Sequence, residues 1–290
     1  MQFDCIADIR GSLTESPVWD DRRGMLFCCD ILDRMVYEID LEKGVSRQWH
    51  FETEVASLGL CESGRLVIAL AREVILFDPE TGNRQVLCTP GPEPETNRLN
   101  DGKVGPDGCF WVGSMDDRPQ KETVGRLYRI DAQGNHAVMT QGFKVSNGLA
   151  WSPDGRTLYH SDSRGPSIDR YEFDPAAGAL GKRHRFADLD EATGRPDGGA
   201  CDADGCYWSA GVSAGVLNRF DRDGNIIKRH EVPAPAPTMP CFCGPDLRTL
   251  AVTSHRAVDP QLLGRFPQSG SVFAARSAVA GTPVFRMKGV

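Results

Sequence analysis

A tight turn followed by an apolar run recurs six times along this chain, as DDRRGMLFCCD, ESGRLVIAL, GPDGCFWVGSM, SPDGRTLYHSDS, DADGCYWSAG and GPDLRTLAVTS. The turn positions are Gly24, Gly64, Gly108, Gly155, Gly205 and Leu247, spaced by 40, 44, 47, 50 and 42 residues. Five of the six are glycine, the residue expected where a hairpin demands a positive φ. A second element follows each turn (RMVYEIDLEKG, VILFDPETG, GRLYRIDAQG, SIDRYEFDPAAG, GVLNRFDRDG and SVFAARSAVAG), alternating apolar and polar residues as a strand does. A third run follows as SRQWHF, RQVLCT, HAVMT, HRFADL, IKRHEV and PVFRM. With the segment before each turn, every repeat supplies four short strands. Repeats of this period that each form a small antiparallel sheet predict an all-β, six-bladed β-propeller with four strands per blade. A β-sandwich gives no reason for one register to recur six times.

No long helical segment or composition break divides residues 1–290, so one domain is expected, with PAPAP at 233–237 a connector between blades five and six. FDCIAD at 3–8 precedes Glu15 much as HRFADL precedes Asp197. The N-terminal strand is therefore expected at the outer edge of the last blade, near PVFRM.

The chain is 40% apolar and 25% charged, enough to bury a core. Its 33 basic and 40 acidic residues leave a net charge of −7 without a Lys/Arg cluster, which argues against a nucleic-acid partner. MQFDCIADIR lacks the pattern of a secretory signal, and no apolar run approaches the length of a membrane span. A cytoplasmic monomer with no membrane or nucleic-acid partner is expected. The ten cysteines are scattered, mostly within strand-like runs, and read as small buried hydrophobes. Cys241 and Cys243 have no matching second pair, so a zinc cluster is a weak reading. Trp19, Trp111, Trp151 and Trp208 recur near the turns and read as packing between blades. No GxSxG elbow or nucleotide motif is present, and the histidines, His160 and His255 among them, fall in positions that suit packing better than catalysis.

In a propeller the first strand of each blade lines the central channel, so equivalent positions face one another. Asn100, Asn147 and Asp197 each lie 8 residues before their turn glycine, and Glu15 lies 9 before Gly24, where the longer DDRRG turn absorbs the difference. The same register holds Ala56 and Met239. Two carboxylates and two carboxamides are thus expected to converge on the axis. Such an oxygen set suits one divalent cation, Ca²⁺, Mg²⁺ or Mn²⁺, with Zn²⁺ or Fe²⁺ as further options. The alternative is that these residues merely cap turns at strand starts.

Five segments carry a resemblance: TESPVWDD at 14–21, RLNDGKVGPDG at 98–108, SNGLAWSPDG at 146–155, RPDGGACDADGCYW at 195–208 and PCFCGPDLRTLAVTS at 240–254. In this order they resemble the SMP-30, gluconolactonase and regucalcin family, and among its members the bacterial sugar lactonases of gluconolactonase and pentonolactonase type. The resemblance implies a six-bladed propeller, a divalent metal held by Glu15, Asn147 and Asp197, and substrate contact by Arg98 and Asn100. It implies hydrolysis of a sugar-acid lactone; for that chemistry the carboxylate of Asp197 is the group expected to take the proton from the attacking water. There are departures. Thr14 and Ser16 stand where the family commonly has glycines, and Arg118 stands where some members use a glutamate on the substrate. Asp116 or Asp117 could substitute for that glutamate.

Two other functions fit the same scaffold: an aryl esterase or organophosphatase, and a non-enzymatic calcium-binding protein. A protein-interaction propeller would need no metal. Arg98 and Asn100 beside the three ligands favour an enzyme acting on a sugar.

Overall fold

The computed structural model describes residues 1–290 and is built from six sheets arranged as propeller blades, each of four antiparallel strands, with one short parallel strand added to the second. Blade one comprises Thr14–Asp20, Met25–Asp30, Met35–Asp40 and Gly44–His50; blade two opens with Val55–Cys61. Blades three to five open with Asn97–Val104, Ser146–Trp151 and Pro196–Cys201, and blade six with Pro237–Cys243. Exposure follows the radius. The innermost strands of blades one, two and six are buried along their whole length, whereas the outer strand Ile226–Glu231 is almost wholly exposed. Charged outer strands of this kind deter edge-to-edge association.

Packing between blades supplies the core. Six apolar clusters occur, one at each blade interface. The tryptophans take part as expected: Trp111 of blade three meets Trp151 of blade four edge-on at 6.1 Å between centroids, and Trp208 of blade five meets Phe242 of blade six. Eight of the ten cysteines are buried, and none is disulfide-bonded. All six turn positions have positive φ, from 53° at Leu247 to 89° at Gly64. Leu247 thus keeps the backbone of the repeat without the residue that adopts it most easily.

The ring closes with the N-terminus. Asp4–Ala7 pairs antiparallel with Val272–Arg276, Asp4 opposite Ala274, and forms the outer strand of blade six. PVFRM does not take that place, because the N-terminal strand already fills it. Arg286–Met287 instead pairs in parallel with Leu60 and Cys61 of the innermost strand of blade two. The tail crosses one mouth of the channel. Thr282 N donates to Cys201 O, Lys288 N to Gly108 O, and Arg286 Nη2 reaches Asp20 at 2.7 Å.

The turn glycines lie at this plugged end. The loops joining second and third strands surround the other end, which stays open. A short helix, Pro260–Arg265, sits in the loop of blade six and is capped by the Asp259 side chain. No helix is long and apolar enough to cross a membrane.

Candidate active site

Each innermost strand shifts register against its neighbour, and all six shifts fall at the level singled out by the repeat. They lie between Glu15 and Val18, Val55 and Ser57, Leu99 and Gly102, Asn147 and Ala150, Pro196 and Gly199, and Pro237 and Pro240. A bulge breaks the strict alternation of side chains and re-aims them. Glu15, Ala56, Asn100, Asn147 and Asp197 accordingly line one cavity of about 180 Å³ at the open end. Met239 is buried on the innermost strand of blade six against Gly198, outside that lining.

The side chains form a hydrogen-bonded chain across three blades. Arg98 Nη1 donates to Asn100 Oδ1 at 2.9 Å, and Asn100 Nδ2 donates to Ser146 O at 3.0 Å and points at Asn147 Oδ1 at 3.4 Å. Asn147 Nδ2 donates to Ser163 Oγ at 2.9 Å and to Asp197 Oδ1. Behind this chain, Ser146 Oγ pairs with His160 Nε2 at 2.7 Å. His160 is fully buried, and burial holds its imidazole down at about 3, so it is a neutral packing group.

Charge collects on the cavity floor. Burial raises the Glu15 carboxyl well above the usual range, and the charges of Asp197 and Asp101 raise it further, against the Ser16 N–H and Lys103. Burial, then Asp101, likewise raises Asp197. Lys103 sits deeper in the channel, anchored to Gly199 O at 2.8 Å. Asp101, which the sequence reading passed over, is buried beside them; its Oδ2 accepts from Leu149 N at 3.0 Å while Oδ1 has no partner. Clustered carboxylates with an orphaned buried oxygen fit a hard divalent cation. No three His, Cys, Asp or Glu side chains form a chelate by themselves; the Asn147 carboxamide lines the same cavity as Glu15 and Asp197 and adds an oxygen to the two carboxylates.

The family model of the SMP-30/gluconolactonase/LRE-like region matches residues 13–256. This chain belongs to that family. Within it, a 6-deoxy-6-sulfogluconolactonase of Pseudomonas putida is 37% identical over 96% of this chain and 95% of its own. Regucalcin of Gallus gallus is 31% identical over 100% and 99%. The crystal structure of a calcium-binding protein, regucalcin from Agrobacterium tumefaciens, matches with a TM-score of 0.90 at 30% identity, covering 97% of this chain and 96% of its own.

Ser16 keeps the left-handed backbone, at φ 52°, and its Oγ accepts from Leu58 N of blade two at 2.9 Å. Thr14 Oγ1 donates to Ser254 O of blade six at 2.9 Å and accepts from Ser254 N. The two replacements therefore fasten Glu15 to both neighbouring blades. Arg118 does not enter the cavity; it folds onto Asp116 at 2.8 Å and Glu122 at 3.2 Å. Asp116 is committed to that contact, and Asp117 pairs with Arg98 at 3.1 Å. Lys121 and Arg164 line the cavity instead. Both come from loops, where a repeat register assigns no position.

Proposed function

We propose that this protein is a metal-dependent lactonase that opens sugar-acid lactones to the free aldonic acids. The observation that carries the reading is the convergence of Glu15, Asn147 and Asp197 with Arg98 and Asn100 in one cavity, in a member of a family whose relatives include a named 6-deoxy-6-sulfogluconolactonase. Glu15, Asn147 and Asp197 would hold one divalent cation. When bound, such a cation supplies Lewis-acid polarisation of the lactone carbonyl.

The chain's own groups account for the rest. Asn100 and Arg98 offer N–H donors to the ring oxygen and hydroxyls and orient the lactone. Asp197 takes a proton from the attacking water as its oxygen bonds to the carbonyl carbon. The ring C–O bond then breaks, the former ring oxygen leaves as a hydroxyl after receiving a proton, and the acid remains as its carboxylate. An exposed aspartate is a weak base; without the cation, burial and then Asp101 raise Asp197 above that range, and a cation held by the same carboxylate would lower it again.

The regucalcin match supports a second reading, a calcium-binding protein without catalysis. The presence of Arg98 and Asn100 in the same cavity weighs against it, because cation binding alone has no use for a guanidinium and a second carboxamide there. A panel of glucono, galactono, xylono and arabinono lactones, assayed beside an aryl ester and a phosphotriester with each cation added to stripped protein, decides. Turnover of at least one aldonolactone above the two other substrate classes is expected; cation binding without turnover of any substrate would overturn the lactonase reading.

A further inference from the structure

We infer that the substrate is a lactone bearing an anionic group, a sulfonate, phosphate or carboxylate, at the end of the sugar remote from the lactone carbonyl, bound by Lys121, Arg164 and Arg98 on the cavity wall. This rests on the lactonase reading and narrows its substrate class. The acids Glu15, Asp101 and Asp197 occupy the floor, and three cations occupy the wall of the same cavity. Only Arg98 has a carboxylate partner there, Asp117. The Lys121 ammonium donates to the backbone carbonyls of Asp116 at 2.6 Å and Arg118 at 3.3 Å, and to no carboxylate. The Arg164 guanidinium makes no hydrogen bond, while nearby Asp162 is taken up by the backbone N–H groups of Lys144, Val145 and Arg164.

Three like charges around one opening repel one another. Burial, with Arg98 and Arg164 adding to it, lowers the Lys121 ammonium against the attraction of Asp117 and Asp116. A bound oxyanion relieves that repulsion and accepts the unused donors. A neutral hexonolactone uses neither. Because the anion lies away from the reacting carbonyl, its contacts act alike in ground and transition states, so they belong in KM more than in kcat.

The test compares D-glucono-δ-lactone with its 6-phosphate, its 6-deoxy-6-sulfonate and a C6-carboxylate counterpart, for wild type, Lys121→Gln and Arg164→Gln. The expected result is a kcat/KM at least tenfold higher for one or more anionic lactones than for the neutral one. Each variant should lose about tenfold on the preferred anion, mainly through KM, and far less on the neutral lactone. Which anion leads separates tetrahedral from planar oxyanions. Equal or better turnover of the neutral lactone, or equal losses on both in the variants, overturns the proposal while leaving the lactonase reading intact. If no lactone of either charge is opened, the lactonase reading falls, and calorimetry with glucose 6-phosphate and glucose decides the anion site alone. Tighter binding of the phosphate that is lost in Lys121→Gln supports it, and equal binding of the two sugars overturns it.

Discussion

The two ends of the channel are built from the same six innermost strands and could hardly differ more. At the open end, bulges turn Glu15, Asn100, Asp101, Asn147 and Asp197 into a polar cavity. A few residues further along the same strands, Val18, Leu58, Val104, Ala150 and Phe242 line a chamber of about 70 Å³ that Thr282–Phe285 closes. Buried polar groups crowd the open end, whereas the plugged end is mostly apolar and keeps the Asp20–Arg286 pair where the tail crosses it. Activity should therefore track the open end, and stability the plugged one.

The largest expected effect is at the open end. Asp197→Asn keeps an oxygen and the shape but removes most basicity, so turnover at saturating cation should fall by about 10²- to 10⁴-fold, with the thermal midpoint little changed. Glu15→Gln is the control that removes a ligand charge without the proposed base. Equal losses in the two variants would leave Asp197 as a ligand only.

At the plugged end, Met287 is fully buried against blade two. Met287→Ala should cost about 2–5 kcal/mol of stability in denaturant titration and leave kcat/KM of the folded enzyme within about twofold. A large loss of kcat with unchanged stability would break the division between the ends.

A smaller effect separates the ends by pH. His160, behind Ser146 at the open end, stays neutral in the folded protein down to about 3, whereas the unfolded chain protonates near 6.5. Its contribution is therefore complete above pH 6.5 and is lost as pH falls toward 3, by about 2 kcal/mol at pH 5. His160→Gln should flatten the acid side of the stability curve between pH 6.5 and 5, and an unchanged slope would contradict that assignment.

Much of this contrast was readable before any coordinates. Turn spacing located the blades, and counting back from the turns placed Glu15, Ala56, Asn100, Asn147, Asp197 and Met239 at one level, of which all but Met239 line the cavity. Asp101 escaped the count because a strand alternates its side chains, and only the bulge between Leu99 and Gly102 brings two consecutive residues to the cavity. The C-terminal tail escaped because PVFRM has the composition of an outer strand, and nothing local tells it that Asp4–Ala7 has already filled blade six. Lys121 and Arg164 escaped for a third reason: they sit on loops, and a loop's direction depends on partners such as Asp116 that hold Arg118 away.

Metal dependence tests the central claim most directly. The wild-type protein should be stripped of cations, its residual lactonase activity measured, and one divalent cation titrated back while bound metal per chain and turnover are followed together. The account predicts near-complete loss of turnover on stripping and recovery that saturates at one ion per chain, with weakened binding in Glu15→Gln and weaker still in Asp197→Ala. Full turnover by the stripped protein, or recovery indifferent to both substitutions, would contradict it.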